Sequence, residues 1–495
     1  MRPALYSFLI LFFLCSCSED RDTDINTEST VTNASESAGL ASVGCVSCHQ
    51  HSLDANHDFS CTKCHQGSDT TAEKGIAHKG LLTQPAHPDN MMRICGECHR
   101  ALVDQNSQSV HFTLHNAINM VRKAFGAEQQ IATLLDIPVS NTPQTTLQLA
   151  DDLLRRRCLR CHPYYSGDRY PAVVRGTGCA SCHLQFYKGK LVSHSFIKSP
   201  GDSQCLQCHY GNWVGSDYYG RYDHDMNEEY RTPYTTSQEF FRPYGIEYHQ
   251  LSADVHQQQG MVCVDCHTGK ELMAVRKNSI HCEDCHDSVS LADKPPANIT
   301  FDKKSKQFIF TSTATGKALS IPVMEHPAHK KYNSSVGCQV CHAQWAFDDR
   351  GTHLLRNDLD EYDDFTRLTV QGSFEVEQIL ENNLDFDLEE IPHVMTDKIS
   401  GKQKPGLWYK GYETRRWENI TIGPDATGKL QVMRPLLDIS LSWLDEDEEI
   451  RFDSFRANSE NQGFTPYIPH TTGKAGMFYL ERLKVLSQKE NDPEK

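Results

Sequence analysis

Residues 158–209 read CLRCHPYYSGDRYPAVVRGTGCASCHLQFYKGKLVSHSFIKSPGDSQCLQCH and carry three copies of the pattern Cys-x-x-Cys-His. The whole chain carries nine copies, which account for 18 of its 20 cysteines. We number the copies motif 1 to motif 9 in chain order, and their cysteine pairs are Cys45 and Cys48, Cys61 and Cys64, Cys95 and Cys98, Cys158 and Cys161, Cys179 and Cys182, Cys205 and Cys208, Cys263 and Cys266, Cys282 and Cys285, and Cys338 and Cys341. The closing histidines are His49, His65, His99, His162, His183, His209, His267, His286 and His342.

This motif is typical of covalent attachment of c-type haem. Two thiols add to the two vinyl groups of one porphyrin, and the histidine supplies the proximal ligand of the iron. Cys-x-x-Cys pairs also bind zinc or form redox disulfides, but neither chemistry requires a histidine after every second cysteine. The sequence therefore predicts nine haem c groups, each held by the two cysteines and the proximal histidine of one motif.

The spacing of the motifs is uneven. Their first cysteines are separated by 16, 34, 63, 21, 26, 58, 19 and 56 residues. Short separations group motifs 1 and 2, motifs 4 to 6, and motifs 7 and 8, whereas motifs 3 and 9 are more isolated. A solenoid would need a fixed period, which is absent here. Because a short linker leaves the chain little slack, we expect successive haems to pack in contact, which favours fast electron hopping.

The composition indicates how such a chain forms a core. Only 38% of its residues are hydrophobic, which is low for a globular protein of this length. Haem macrocycles would supply the missing apolar surface. The predicted fold class is therefore a multihaem cytochrome c domain with sparse short α-helices and loops packed around nine haems, followed by a smaller, mainly β C-terminal domain. The formal charge of −16 argues against nucleic acid as a partner and favours cationic partners or metal-ion and mineral acceptors.

A basic cluster runs against this overall charge. Four arginines flank motif 4, namely Arg155, Arg156, Arg157 and Arg160. They are predicted either to pair with haem propionates or to form a solvated helix face.

Each haem iron also needs a second axial ligand or an open site. Sixteen histidines lie outside the motifs, and the predicted distal ligands among them are His57, His78, His87, His115, His194, His256, His281, His326 and His353. His111 competes with His115, and His329 competes with His326. His281 is predicted to serve the haem of motif 7. Methionine is the alternative type of ligand, and it would raise the reduction potential.

The N-terminus indicates export. An apolar run over residues 4–14 is too short to span a bilayer and fits a signal peptide. Leu14-Cys15-Ser16-Cys17 resembles a bacterial lipoprotein signal in which Cys17 becomes the lipidated residue and Cys15 is removed. An ordinary cleaved signal is the alternative. Ser18 favours sorting to the outer membrane, on its periplasmic or cell-surface face. Export agrees with bacterial haem attachment, which takes place outside the cytoplasm.

Beyond motif 9 the chain changes in character. Alternating segments flank the turn at residues 424–428 and the acidic run at 445–449, and both patterns predict β-hairpins. Residues 18–42 are polar and are predicted to be disordered. The predicted organisation is a signal peptide over 1–16, a lipid-anchored disordered tether over 17–42, a nonahaem domain over 43–354 with a small hairpin insert at about 300–323, a mainly β domain over 355–475, and a terminal helix and tail over 476–495.

The nine motifs resemble those of the multihaem c-type cytochromes of respiratory bacteria, in particular exported lipoproteins of metal- and sulfur-reducing organisms. The resemblance covers residues 45–342. Pro469-His470-Thr471-Thr472 resembles a segment that precedes a further haem motif in some such cytochromes. No cysteine follows it here, and this departure argues against His470 as a ligand.

Three functions are compatible with this resemblance. The first is electron transfer at the outer membrane through closely packed, mostly bis-histidine haems. Its partners would be other cytochromes or quinone-linked donors, an outer-membrane porin, or a metal or mineral acceptor, with the membrane bound through the N-terminal lipid. The second is a terminal reductase for nitrite, hydroxylamine, tetrathionate or a metal ion, with one open haem. Several such enzymes mark that haem with lysine in place of the motif histidine, and this sequence has no such motif. The third is a docking role for the C-terminal domain, compatible with the first.

Overall fold

The computed structural model describes residues 44–170, 173–210, 214–223, 248–274, 280–347, 351–359, 371–383, 391–411, 420–457, 463–475 and 481–484. They belong to one compact unit that extends over Val43–Lys495. The predicted signal peptide, Cys17 and the tether lie outside the described residues. Of the predicted terminal helix, residues 481–484 are described and are helical. Among the described residues, we find no helix with the length and apolar character needed to cross a membrane.

Short helices separated by loops dominate the motif-bearing part of the chain. The longest helices described, α4 and α7, have 11 residues each, so the helices offer short apolar faces rather than a continuous bundle core. Three 3-10 turns lie at Cys45–Ser47, Leu134–Asp136 and Cys158–Cys161. The α-helices are α1 Cys61–His65, α2 Lys74–Ala77, α3 Pro88–Ile94, α4 Gly96–Asn106, α5 Val110–Thr113, α6 His115–Ala124, α7 Thr146–Arg156, α8 Ala180–His183, α9 Asp202–His209, α10 Val214–Tyr218, α11 Val255–Gln258, α12 Cys263–Cys266, α13 Gly269–Leu272, α14 Cys282–His286, α15 Ser288–Asp293, α16 Pro327–Tyr332, α17 Cys338–His342 and α18 Phe374–Asn383.

The strands form small sheets. They are β1 Phe186–Tyr187, β2 Lys190–Leu191, β3 Arg221–Asp223, β4 Tyr248–Gln250, β5 Ile299–Asp302, β6 Gln307–Thr311, β7 Ala318–Ile321, β8 Thr352–Asn357, β9 Val394–Thr396, β10 Gln403–Pro405, β11 Leu407–Lys410, β12 Ile422–Pro424, β13 Leu430–Pro435, β14 Ile439–Leu444, β15 Ile450–Arg456 and β16 Phe464–Pro466. The largest sheet has the order β11-β8-β14-β15, in which β8 and β14 run parallel and the other neighbours antiparallel. Two three-stranded sheets have the orders β12-β13-β16 and β5-β6-β7.

The largest apolar core lies between this four-stranded sheet and helix α7. Leu149 and Leu153 of α7 pack in one cluster with Trp408 and Leu441 of the sheet, and each is at most 1% exposed. The indole Nε1 of Trp408 donates a hydrogen bond of 2.8 Å to Asp152 of α7, which satisfies a buried donor. Because α7 ends directly before motif 4, this core fixes motif 4 against the C-terminal sheet.

The four arginines at this helix end are held by protein groups. Arg155 is 5% exposed and donates to both carboxylate oxygens of Asp397, at 2.6 Å from Nε and 3.1 Å from Nη2. Arg156 is 1% exposed and pairs with Asp152 at 3.3 Å. The prediction of a solvated helix face is therefore wrong for these two residues, because their charges are buried and fasten α7 to the C-terminal part of the chain.

Several sequence-predicted segments have a definite form. The apolar-periodic stretch at 110–125 forms α5 and α6, which are separated by Leu114 in the left-handed conformation with φ of 42°. The predicted insert at about 300–323 forms β5, β6 and β7. The acidic run at 445–449 joins β14 to β15. The predicted boundary between residues 354 and 355 falls inside β8, which is the second strand of the C-terminal sheet, and helix α18 lies within the region predicted to be mainly β.

Candidate haem sites

The motifs adopt tight helical turns. Helices α1, α14 and α17 each span a complete motif from its first cysteine to its histidine. Residues three and four positions apart share one face of a helix. Both thiols and the imidazole of such a motif therefore project from the same side, as attachment of one macrocycle requires. None of the eighteen motif cysteines, all of which lie within the described residues, is paired in a disulfide.

The motif imidazoles are oriented by backbone carbonyls. In motifs 2, 5, 8 and 9, the histidine Nδ1 bonds to a carbonyl oxygen: His65 to Leu82 at 2.9 Å, His183 to Ile197 at 2.7 Å, His286 to Pro322 at 2.8 Å and His342 to Gly473 at 2.9 Å. A carbonyl only accepts, so Nδ1 must donate its proton. The lone pair then lies on Nε2, which is the arrangement that second-shell partners impose on metal-binding histidines.

Seven motif histidines face a histidine from outside the motifs, and we call these the facing pairs. Their ring centroids are 6.0–6.2 Å apart. The facing pairs are His49 with His78, His65 with His194, His99 with His57, His209 with His111, His267 with His470, His286 with His256, and His342 with His329.

This separation matches the requirement of a six-coordinate iron. Two metal–nitrogen bonds of about 2 Å and two ring radii of about 1.1 Å place axial imidazoles about 6.2 Å apart, centroid to centroid. The rings of a facing pair are too far apart for direct stacking. The residues present therefore fit haem with two axial histidines at seven motifs.

Four of the nine predicted distal ligands belong to facing pairs. His78 faces motif 1, His194 faces motif 2, His57 faces motif 3 and His256 faces motif 8.

The other five predicted distal ligands face no motif histidine. His87 packs edge-on against Tyr164, with centroids 5.0 Å apart. His115 bonds to Asn119 on its own helix. His281 precedes α14 on the surface. His326 accepts a hydrogen bond from the Ala328 amide at the start of α16, and His353 on β8 bonds to the Ser442 hydroxyl at 2.9 Å.

Three facing histidines fall outside the predicted distal set: His111, His329 and His470. A signal for the choice between His326 and His329 was present in the sequence. His326 precedes proline, a residue favoured at the first helical position, so His326 caps the helix and His329 projects from it. For His470 the one signal was the resemblance of residues 469–472 to a segment that precedes a haem motif, and the missing cysteines argued against a ligand role. Its amide donates to Asp217 at 2.9 Å, a contact between residues far apart in the chain.

Carboxylates orient two of the facing histidines. The hydrogen bond from His57 lowers the pKa of Asp54 to about 2, and the Nδ1 of His57 lies 2.9 Å from this carboxylate. The Nδ1 of His256 lies 2.8 Å from Asp254. Burial disfavours the charged form of His256, but the Asp254 hydrogen bond raises its pKa overall. Both contacts direct Nε2 away from the carboxylate and toward the motif histidine.

Motifs 4 and 5 differ from the other seven. Among the described side chains, no histidine ring faces His162 or His183. His183 keeps the common orientation through Ile197. His162 is reversed: its Nε2 lies 3.0 Å from the Phe112 carbonyl and its Nδ1 lies 3.3 Å from the Tyr164 amide. Because the carbonyl accepts and the amide donates, the proton is on Nε2. Burial lowers the pKa of His162 to about 4, so this ring is neutral near pH 7.

Contacts between cysteine thiols show which motifs are neighbours in space, and this order differs from the order of the motifs along the chain. Four contacts within hydrogen-bonding reach join motif 3 to motif 5, motif 4 to motif 6, motif 6 to motif 7, and motif 8 to motif 9, through Cys95 and Cys179, Cys161 and Cys208, Cys205 and Cys263, and Cys282 and Cys338. The first motif interacts electrostatically with the second, and the seventh with the eighth. Lys63 of motif 2 pairs with Glu97 of motif 3 at 2.5 Å.

One further contact arranges eight of the motifs in a single row, in which each motif lies beside the next. Helix α8 of motif 5 contacts α9 of motif 6, so the row runs through motifs 1, 2, 3, 5, 6, 7, 8 and 9. Motif 4 joins it from the side: the Cys208 thiol of motif 6 lies 3.2 Å from the carbonyl oxygen of Cys161. The row is therefore continuous without motif 4.

The described residues hold no group of three or more histidine, cysteine, aspartate or glutamate side chains that would bind a metal ion directly. No family model, curated protein or solved structure matches this chain.

Proposed function

We propose that this protein is an exported multihaem c-type cytochrome that carries electrons along a row of mostly bis-histidine haems. The observation that carries this proposal is the common 6.0–6.2 Å separation of the seven facing pairs. Zinc ligation would instead bring side chains together around one ion about 2 Å from each nitrogen. The nine Cys-x-x-Cys-His motifs supply the covalent attachment, and the bound haems would supply the redox-active iron.

The chain's own residues would hold the ligands in a fixed geometry. Carbonyls fix the tautomer of four motif histidines, and Asp54 and Asp254 do the same for His57 and His256. Such outer contacts raise ligand basicity and reduce reorganisation when the charge of the metal changes. One rigidly held histidine on each side of an iron suits transfer of an electron rather than binding of a substrate.

The row of contacting motifs supports a conducting role. Successive attachment cysteines approach one another even where long stretches of sequence separate their motifs, as between motif 3 and motif 5. Each bound macrocycle would then lie beside the next. Electrons would enter from partner cytochromes or quinone-linked donors and leave to another cytochrome, an outer-membrane porin complex, or a metal or mineral acceptor. The strongly acidic chain suits cationic partners.

The proposed location is the outer membrane. Cys17 would carry the lipid, and residues 18–42 would tether the compact unit to the bilayer on its periplasmic or cell-surface face. Several acyl chains give stable anchoring, whereas one chain binds only marginally. The C-terminal sheet would also be available for docking.

Two measurements on the purified, full-length protein test this function. Intact mass spectrometry should find nine covalent haems. Electron paramagnetic resonance of the oxidised protein should be dominated by low-spin ferric haem, with at least seven of the nine in that state. A protein with free thiols at the motifs, or with mainly high-spin haem, would contradict the proposal. The alternative, a terminal reductase with an open haem, is favoured only by the different geometry of motif 4.

A further inference from the structure

One segment near the end of the chain reaches three of the candidate haem sites. Residues 467–473 read YIPHTTG and lie beyond the last cysteine of the sequence, Cys341. This segment follows strand β16, and its Thr471 is fully buried. It contacts the histidines, or the groups that hold them, at motifs 7, 8 and 9, which occupy the last three positions of the row.

At motif 7 the segment supplies the facing histidine itself. The ring of His470 lies 6.2 Å from that of His267, centroid to centroid. The backbone of His470 is held separately from its ring. Its amide donates to the Asp217 carboxylate at 2.9 Å, and the Tyr467 hydroxyl donates to the same oxygen at 2.8 Å. Asp217 is 0% exposed, so this carboxylate anchors the segment at two points within the protein interior.

At motif 8 the segment acts through a carboxylate. The Thr472 amide donates to Oδ2 of Asp254 at 2.7 Å, and Oδ1 of Asp254 contacts Nδ1 of His256 at 2.8 Å. The Thr472 carbonyl accepts a hydrogen bond from the Val255 amide at 2.8 Å, which fixes the start of α11. Because His256 is the histidine that faces motif 8, Thr472 positions this ring through Asp254.

At motif 9 the segment orients the motif histidine. Nδ1 of His342 donates to the Gly473 carbonyl at 2.9 Å, and the Gly473 amide donates to the His342 carbonyl at 2.8 Å. The side chain of Gln339, within the same motif, donates to the Thr472 hydroxyl at 3.0 Å. Motif 9 is therefore tied to the segment through a histidine ring, the backbone and a second side chain.

These contacts span much longer stretches of sequence than the contacts at motifs 2 and 5. The carbonyls that orient His65 and His183 lie 17 and 14 residues away, so each of those sites is completed by nearby sequence. Gly473 lies 131 residues from His342, and the Asp217 acceptor of the His470 amide lies 253 residues away. Three neighbouring sites are thus completed by one segment from the distant, cysteine-free part of the chain.

We infer that segment 467–473 is a shared positioning element, which sets the axial ligation of the haems proposed for motifs 7, 8 and 9 together. The inference rests on the proposed function and deepens it, because it gives the cysteine-free part of the chain a role within the row. A displaced segment would move the His470 ring, loosen Asp254 behind its histidine, and free the His342 ring to rotate. Because such contacts set ligand orientation and basicity, the potentials of all three haems would change together.

The test displaces the segment without changing a motif histidine or a facing histidine. Asp217→Ala removes the acceptor shared by the His470 amide and the Tyr467 hydroxyl. In the haem-loaded, full-length protein, potentiometric titration followed by electron paramagnetic resonance should show three shifted midpoint potentials and six unchanged ones. Asp217→Asn retains an oxygen that accepts both hydrogen bonds, so it should keep all nine wild-type potentials. His470→Met changes one ring and leaves the backbone anchors in place, so it should shift one potential only.

Asp358→Ala controls for a general loss of stability. Asp358 accepts hydrogen bonds from Arg356 at 2.8 Å and from Trp443 at 2.9 Å in the C-terminal part of the chain. This variant should therefore unfold more readily while keeping the wild-type potentials. Shifts of the same three potentials in Asp358→Ala would overturn the inference, and so would any number of shifted potentials other than three in Asp217→Ala.

Tyr467→Phe takes the place of Asp217→Ala if that variant does not fold. It removes one of the two anchoring hydrogen bonds and should shift the same three potentials by a smaller amount, whereas unchanged potentials would overturn the inference. These outcomes are distinct from failure of the proposed function. A wild-type protein without covalent haem would contradict that function, whereas nine low-spin haems whose potentials do not respond to either substitution would leave it intact.

Discussion

The imidazole rings of His329 and His342 lie parallel, with their planes 8° apart and their centroids 6.1 Å apart. His342 closes motif 9, and His329 projects from the helix that precedes it. Neither stacking nor a hydrogen bond accounts for two parallel rings at this distance. The proposed haem iron, held between the two rings, would account for it, and this relationship gives the most direct test of the ligand assignment.

Replacing His329 with alanine should convert one haem from low-spin to high-spin. The loss of one axial nitrogen leaves that iron five-coordinate, and electron paramagnetic resonance would detect the change. His326→Ala is the control, since that residue lies three positions earlier and caps the helix. Equal spectra from the two variants would refute the assignment of His329.

His470 provides a second test, because it comes from the part of the chain that lacks cysteine. His470→Met should raise the potential of one haem, on the order of 0.1 V within the roughly 0.8 V range that axial ligands set. Film voltammetry would measure the shift. His281→Met, which changes a surface histidine next to motif 8, should leave every potential unchanged. A shift from the control and none from His470→Met would favour His281 as the ligand of motif 7.

The buried pair of Arg155 and Asp397 should be important for stability. Side-chain exposure is 6% for the arginine and 3% for the aspartate. Arg155→Met removes one partner and leaves a buried carboxylate, which should lower the free energy of unfolding by about 3–5 kcal/mol. Thermal or denaturant unfolding of the haem-loaded protein measures this. Arg100→Met disrupts the exposed pair of Arg100 with Asp104, 3.4 Å apart, and should have little effect; a comparable loss there would show that the buried location is unimportant.

The ionisation of the same residue, Asp397, should make the stability of the folded protein depend on pH. Burial opposes ionisation of Asp397, but the hydrogen bond from Arg155 lowers its pKa below the ordinary value. The ionised carboxylate therefore stabilises the folded protein above the unfolded-state pKa of about 3.9, and this contribution is lost as the pH falls through the lower folded-state pKa. Asp397→Asn should be less stable at neutral pH and lose less stability on acidification, as followed by unfolding midpoints. Asp104→Asn, at an exposed site, should retain the wild-type profile.

The anchor can be tested independently of the haems. Cys17→Ser removes the proposed acylation site, so the protein should move from the membrane to the soluble fraction after cell fractionation. Cys15→Ser alters the residue expected to be cleaved off and should leave the protein on the membrane. Retention of the Cys17 variant on the membrane would indicate a different anchor, whereas a wild-type protein in the soluble fraction would favour an ordinary cleaved signal peptide.

The helical turns of the motifs and the C-terminal hairpins could be predicted because each depends on a few neighbouring residues. The choice among distal histidines is different. His57, His78, His194 and His256 were named from the sequence, whereas His111, His329 and His470 were not. A distal ligand is selected by which segment crosses the opposite side of a macrocycle, and chain spacing carries little information about that crossing.

The sequence by itself determined the number and spacing of the motifs, since each consists of five consecutive residues. Only the tertiary structure decided that motif 3 meets motif 5, that motif 4 lies beside the row, and that His470 returns to motif 7. These are contacts between segments far apart in the chain. The packing of α7 on the C-terminal sheet holds motif 4 in place, and the buried carboxylates of Asp217 and Asp254 accept hydrogen bonds from the amides of His470 and Thr472 and so hold this part of the chain.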